Sequence, residues 1–127
     1  MENNNDMKKI LLVDDSEVHL VIAENILKGK YETVTAKSGK EALSLLSKGY
    51  VPHLILLDVL MPEMDGWETY NKIKGISLLR NVPIAFLTSL DGAREKQYAS
   101  RIGAADLITK PYNGEELLNR IEKMLNN

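Results

Sequence analysis

Four short apolar runs of the chain each end in a residue type that can take part in chemistry. Asp14 and Asp15 follow residues 10–13, Asp58 follows residues 54–57, Thr88 follows residues 84–87, and Lys110 follows residues 107–109. If these runs are parallel strands of one sheet, their carboxyl ends meet along one edge. Three carboxylates, a hydroxyl and an ammonium group gathered there would suit a divalent cation and a phosphoryl group.

Taken singly, each of these residues has an ordinary structural explanation. An aspartate can cap a helix or a turn, a threonine suits a strand end, and a lysine usually lies in solvent. Together they are harder to explain in that way, because crowded carboxylates repel one another unless a cation lies among them. Oxygen ligands alone favour Mg²⁺, with Mn²⁺ as a substitute, over Zn²⁺. His19 and His53 have no partner at ligand spacing, so no metal role is predicted for either.

The rest of the sequence alternates apolar β-rich runs with amphipathic helical patterns. Strands are predicted at residues 8–13, 31–36, 52–58, 83–88 and 105–109. Helices are predicted after each strand, starting near Ser16, Ser38, Asp65, Asp91 and Asn113, with Gly103 ending the fourth. This pattern predicts an α/β fold of (βα)₅ type, a doubly wound parallel sheet of five strands.

Length and composition limit the remaining possibilities. The chain has 127 residues, a net charge of −2 and no cysteine, which predicts one domain without a disulfide framework. Neither a signal-peptide pattern nor an apolar run of the roughly 20 residues that a membrane span needs is evident. We therefore expect a cytoplasmic protein that binds neither nucleic acid nor membrane, with a frayed tail at 1–7 and a single domain at 8–127.

The chain resembles a known family, the receiver domain of two-component response regulators, from Lys8 to Leu125. The matching motifs are residues 12–16 (LVDDS), 57–66 (LDVLMPEMDG), 88–89 (TS) and 103–111 (GAADLITKP). The resemblance implies a flavodoxin-like sheet with strand order 2-1-3-4-5. It also implies a signalling switch that catalyses only its own phosphorylation and dephosphorylation, rather than a metabolic enzyme.

The resemblance also implies roles for single residues. Asp58 would accept a phosphoryl group from a sensor histidine kinase or a histidine phosphotransfer protein. Asp15, Asp58 and the main-chain carbonyl of Leu60 would bind Mg²⁺, and Asp14 would act mainly through a metal-bound water. Lys110 would pair with the phosphoryl oxygens.

Two further features follow from the same resemblance. The Thr88 hydroxyl would hydrogen-bond a phosphoryl oxygen in the active state, and the Lys110–Pro111 bond would be cis. Phosphorylation would change binding to an output partner or output domain whose identity the resemblance does not give. The sequence is compatible both with a stand-alone receiver and with a piece of a longer regulator.

The chain departs from the family at Leu107, where receivers usually carry an aromatic ring that reports activation. The predicted chemistry is unaffected, but signalling through an aromatic switch is not expected. Arg120 matches an arginine used by many dimeric receivers, whereas Ala105 replaces an acidic residue, so that dimer is not predicted.

Three other classes of protein have requirements that can be compared with these residues. An aspartate-nucleophile phosphatase of the haloacid dehalogenase type would need an aspartate where Leu60 stands. A flavin or nucleotide binder would need a glycine-rich or hydroxyl-rich loop after the first strand. A pseudo-receiver that only binds a partner would not need all five of the polar strand-end residues.

Overall fold

The computed structural model describes residues 7–90 and 92–126. Within these residues, five strands form one parallel sheet, and five α-helices cover it. The strands are β1 (Lys9–Val13), β2 (Glu32–Ala36), β3 (Leu54–Asp58), β4 (Ile84–Thr88) and β5 (Asp106–Thr109). The helices are α1 (Glu17–Leu27), α2 (Gly39–Ser47), α3 (Gly66–Lys74), α4 (Ala93–Arg101) and α5 (Gly114–Leu125), with a short 3-10 helix at Ser77–Leu79.

The sheet has the strand order β2-β1-β3-β4-β5, which confirms the predicted doubly wound fold. All five residues of β3 and all five of β4 are buried. Continuous burial is expected of central parallel strands, because helices cover both faces of the sheet. The reversal of strand order between β1 and β3 opens a crevice at their carboxyl ends.

Alternate residues of the strands pack against two separate helical layers. On one face, Leu11, Ile55 and Phe86 belong to a core that α2, α3 and α4 cover. On the other, Ile10, Leu56 and residues of α1 and α5 form a second core. Each fully buried aliphatic side chain contributes about 1.5 to 3 kcal/mol through the removal of apolar surface from water. Two cores hold the sheet from both sides and thereby fix the positions of its strand ends.

The caps of three helices lie where the sequence predicts them. The side chains of Ser38, Asp65 and Asn113 each accept a hydrogen bond from the backbone N–H three residues further on, which satisfies a donor at the helix start. Gly103 has a φ of 92° just beyond α4, a conformation that favours glycine at the end of a helix.

Two predicted features fall on residues that the structure does not describe. Asp91, predicted to cap the fourth helix, lies outside the described residues, and α4 begins at Ala93 with Gly92 at the cap position. Most of the predicted tail at 1–7 also lies outside them. Among the helices of the described residues, none combines the length and the apolar character needed to cross a membrane.

Candidate functional site

Three aspartates meet at the carboxyl ends of β1 and β3. Asp14, Asp15 and Asp58 each offer a carboxylate oxygen, and these oxygens all lie within 4.8 Å of one another. The sheet register explains this, since Val13 pairs with Leu57 and the aspartates follow directly on both strands. Asp14 and Asp58 are buried, whereas Asp15 is exposed. The cluster is therefore exposed to solvent at Asp15.

Burial makes the negative charge of Asp58 unfavourable. Loss of hydration raises the pKa of Asp58 to about 6, because the opposing effect of the Lys110 ammonium is outweighed by burial together with the Asp14 carboxylate. A buried anion beside a second carboxylate would gain from an added positive charge. The site thus carries excess negative charge, which a divalent cation would offset.

Lys110 supplies the ammonium group of the site. Its Nζ lies 2.7 Å from Oδ2 of Asp14 and 3.8 Å from Oδ2 of Asp58. The backbone holds this residue at the edge, since the Lys110 N–H donates to the Thr88 carbonyl at 2.7 Å. The bond that follows, Lys110–Pro111, is cis. The ammonium therefore stands between the two buried carboxylates.

Thr88 ends the next strand and is fully buried. Its hydroxyl oxygen accepts a hydrogen bond from the Leu90 N–H at 3.1 Å. Since a hydroxyl can both accept and donate, the bond to Leu90 uses the oxygen and leaves the proton as a donor. Thr88 thus borders the site but is not a member of the acidic cluster.

The loop after Asp58 brings α3 close to the acidic residue. The Gly66 N–H donates to the Val59 carbonyl at 2.8 Å, and a Cβ at Gly66 would collide with the backbone carbonyl of Asp58. Only glycine permits this approach. Glu63 in the same loop has a φ of 71°, which is strained for a residue with a side chain. The loop is consequently held tightly against the site.

The donor set fits a hard divalent cation. Carboxylate oxygens are the ligands that Mg²⁺ and Mn²⁺ prefer, and the cluster of Asp14, Asp15 and Asp58 supplies three of them. Leu60 is 53% exposed, so its side chain is not packed into the core over the cluster. A cation would also offset the repulsion that opposes the charge on Asp58.

Two residues near this edge were not assigned a role from the sequence. Nδ1 of His19, on α1, lies 2.9 Å from Nζ of Lys110 and 3.6 Å from Oδ2 of Asp14. Tyr112 lies beside Asp14, and burial, followed by the Asp14 carboxylate, raises the pKa of Tyr112. The only sequence signal for His19 was its position in the first turn after Asp14-Asp15-Ser16.

Leu107 lies away from the acidic cluster. It pairs with Phe86 in the register of β4 and β5, and it is 8% exposed within the core under α4. Trp67 is half-buried, and its ring lies 4.5 Å from that of Phe86 and 4.9 Å from that of Tyr98 on α4. The departure at Leu107 thus concerns the face of the sheet that packs against α4.

Comparisons with known proteins agree with this geometry. The family model of the response regulator receiver domain matches residues 10–122. Protein PilG of Pseudomonas aeruginosa is 34% identical over 123 residues, which is 96% of this chain and 90% of PilG. The solved structure of chemotaxis protein CheY4 from Vibrio cholerae has a TM-score of 0.87 and 34% identity, covering 94% of this chain and 99% of that chain.

Some relatives are much longer than the present chain. Response regulator PleD of Caulobacter vibrioides is 36% identical over 117 residues, and the match covers 91% of this chain but 26% of PleD. The chain thus spans nearly all of PilG and about a quarter of PleD. With the matching family model, the five-stranded sheet and the acidic cluster at its carboxyl edge, this chain belongs to the response regulator receiver domains.

Proposed function

We propose that Asp58 is the phosphoacceptor of a two-component signalling switch. The observation that carries this proposal is the juxtaposition of a buried carboxylate, two further carboxylates and an ammonium group at one sheet edge. The donor would be a phosphohistidine of a sensor histidine kinase or of a histidine phosphotransfer protein. An Asp58 oxygen attacks phosphorus, the P–N bond breaks, and the imidazole leaves with its electron pair.

The other residues of the edge would offset the negative charge of the phosphoryl group. An acyl phosphate adds nearly two negative charges to the carboxylate site. Lys110, at 3.8 Å from Asp58, would offset part of that charge by pairing with a phosphoryl oxygen. The Thr88 hydroxyl, next to Lys110 through the backbone bond, would donate to another oxygen once the group is attached.

A divalent cation, Mg²⁺ or Mn²⁺, would supply the remaining positive charge against the phosphoryl oxygens. Asp15, Asp58 and the main-chain carbonyl of Leu60 would hold it directly, with Asp14 acting mainly through a water. The support for this assignment is the chemistry of the donor set and the proximity of the three carboxylates. The Lys110 contact with Asp14 would also keep that carboxylate in place.

Phosphorylation would change the surface offered to an output partner or an output domain, and we propose no metabolic reaction for this chain. Phosphatase chemistry of the haloacid dehalogenase type is not favoured, because the apolar Leu60 stands where an acid or base would be needed. A purely structural pseudo-receiver is not favoured either, since it would not require the buried ionic contacts of Asp14, Asp58 and Lys110. The cytoplasmic location stays a prediction from the sequence.

The test is incubation with acetyl phosphate and Mg²⁺, followed by intact-mass measurement. We expect the wild type to gain the mass of one phosphoryl group and Asp58→Asn to gain none. Asp65→Asn is the matched control, because it makes the same change of charge in the same loop region while asparagine still caps α3. Phosphorylation of Asp58→Asn at the wild-type rate would overturn the assignment.

A further inference from the structure

His19 contacts the ammonium group of the candidate site from outside the acidic cluster. It lies on α1, where its backbone N–H donates to the hydroxyl of the cap residue Ser16 at 3.3 Å. Its side chain is 47% exposed, whereas that of Lys110 is 12% exposed. His19 therefore lies at the rim of the site, between solvent and the buried lysine.

The donor and acceptor roles in this contact follow from the chemistry of the two groups. An ammonium group has three donors and no acceptor, so Nδ1 of His19, at 2.9 Å from Nζ of Lys110, must be the acceptor. This contact therefore requires an imidazole whose Nδ1 carries no proton. The same ammonium donates to Asp14 at 2.7 Å.

Two hydrogen bonds restrict the direction of the third N–H of Lys110. With one donor on Asp14 and one on His19, the tetrahedral ammonium can no longer rotate freely about its last bond. The remaining partner near Nζ is Oδ2 of Asp58, at 3.8 Å, which is longer than a hydrogen bond. An oxygen of a group attached to Asp58 would occupy this gap and accept the third N–H of Lys110.

We propose that His19 is a positioning residue, which orients Lys110 so that one N–H is directed at the phosphoryl group on Asp58. The inference rests on the proposed function, since the oriented donor acts only if Asp58 carries that group. Held in this way, the donor needs little reorganisation when charge develops, which is how positioned donors accelerate a reaction. His19 also lines a surface cavity of about 360 Å³ together with Ile22, Lys110 and Tyr112.

Two variants separate the acceptor atom from the volume of the ring. His19→Phe keeps an aromatic ring without the acceptor, while His19→Asn places an oxygen, bonded to Cγ as Nδ1 is, where it can accept from Lys110. We expect His19→Phe to phosphorylate about fivefold more slowly with acetyl phosphate and Mg²⁺, the effect of losing one hydrogen bond. His19→Asn should recover most of the wild-type rate, which a role in packing alone would not explain.

A second measurement tests the contact without using phosphorylation. In ¹⁵N spectra of the imidazole rings, Lys110→Met should move the Nδ1 resonance of His19, because methionine keeps an unbranched side chain of nearly the same length and removes the donors. His53 provides the internal reference, since its Nδ1 accepts from the Lys9 backbone N–H at 2.9 Å and should not respond.

The outcomes are distinct. A shift confined to His19, together with a slow His19→Phe and a restored His19→Asn, supports the inference. An unmoved His19 resonance, or an asparagine variant as slow as the phenylalanine variant, overturns it. If the wild type itself gains no phosphoryl group, the proposed function fails and the catalytic part of the inference fails with it, while the spectrum still decides whether the contact exists.

Discussion

The carboxyl edge of the sheet and the α4 face of the same molecule are held by very different contacts. At the carboxyl edge, defined by Asp14, Asp58, Thr88 and Lys110, every one of these side chains is largely buried and the lysine bridges two carboxylates. On the α4 face, formed by α4, Leu107 and Arg120, the structure describes all of α4, and Ala99 is its single buried residue. A groove of about 560 Å³ lies along this face.

This difference indicates that the two regions have different roles in a switch. The edge is fixed by strands with two cores behind them, so a group attached to Asp58 meets a rigid set of charges. The α4 helix has one buried residue and begins without a side-chain cap hydrogen bond, so it can be displaced at small cost. A switch needs both properties, since a rigid site creates the signal and a loosely packed surface can change with it.

The largest expected effect removes the ammonium group from the carboxyl edge. Lys110→Met should slow phosphorylation by acetyl phosphate about a hundredfold, as the loss of a preorganised charged donor does elsewhere. The rate would be followed by intact mass in the presence of Mg²⁺. Lys96→Met, the same change on exposed α4, should leave the rate within about twofold. Equal slowing in both variants would show that the ammonium of Lys110 matters no more for phosphorylation than that of an exposed lysine on α4.

The second prediction changes the α4 face and leaves the edge intact. Leu107→Tyr puts a larger side chain into a buried position, which should lower the free energy of unfolding by about 1 to 3 kcal/mol. The phosphorylation rate and Mg²⁺ binding should stay unchanged. The difference in Trp67 fluorescence between the unphosphorylated and phosphorylated forms should change, because that ring contacts Tyr98 of α4.

The control for this variant is Leu78→Tyr, at a site that is 70% exposed. It should behave as the wild type in stability, phosphorylation and fluorescence. If Leu107→Tyr also matched the wild type in its phosphorylation-dependent change, the proposed separation of chemistry from signalling would be wrong.

The third prediction concerns the unfavourable negative charge of the buried Asp58 at the edge. The pKa of Asp58 is raised to about 6 in the folded protein from 3.8, so the fold binds this proton more tightly than the unfolded chain does. The stabilisation from that proton is complete below the unfolded value and is lost as the pH rises through about 6. Without divalent cations, Asp58→Asn should therefore be more stable than the wild type above pH 6, by on the order of 1 to 2 kcal/mol.

Urea unfolding at several pH values would measure this gain. The advantage of Asp58→Asn should disappear toward the unfolded value of 3.8, and Mg²⁺ should reduce it near neutral pH by stabilising the wild type. A difference in stability that did not vary with pH would contradict the electrostatic origin.

The smallest expected effect concerns the α4 face again. The guanidinium of Arg120 contacts both carboxylate oxygens of Asp106 at 3.0 Å, and it lies 3.5 Å from Glu116. Since these groups are partly exposed, Arg120→Ala should cost about 0.5 to 1 kcal/mol in urea unfolding. Glu116→Ala should cost less because it loses only the longer contact. A loss from Arg120→Ala as large as that from Leu107→Tyr would show that this face is held more firmly than we propose.

Much of the fold could be predicted because its determinants are local. Continuous apolar runs predicted the buried strands. Ser38, Asp65 and Asn113 predicted helix starts, and in the structure their side chains form the cap hydrogen bonds. The resemblance to the receiver family implied the strand order, and the gathering of Asp14, Asp15 and Asp58 then followed from the rule that the carboxyl ends of parallel strands share one edge of the sheet. The residue roles at the site stay predictions, which the phosphorylation experiments above would test.

The sequence by itself determined which chemical groups stand at the strand ends, because strand and helix patterns depend on neighbouring residues. Only the tertiary structure decided how those groups meet. The 2.9 Å contact of His19 with Lys110 depends on how α1 is rotated against the end of β5, and the raised pKa of Asp58 depends on burial by segments distant in the chain. Side-chain contacts and electrostatics arise from packing between elements, and no local pattern encodes them.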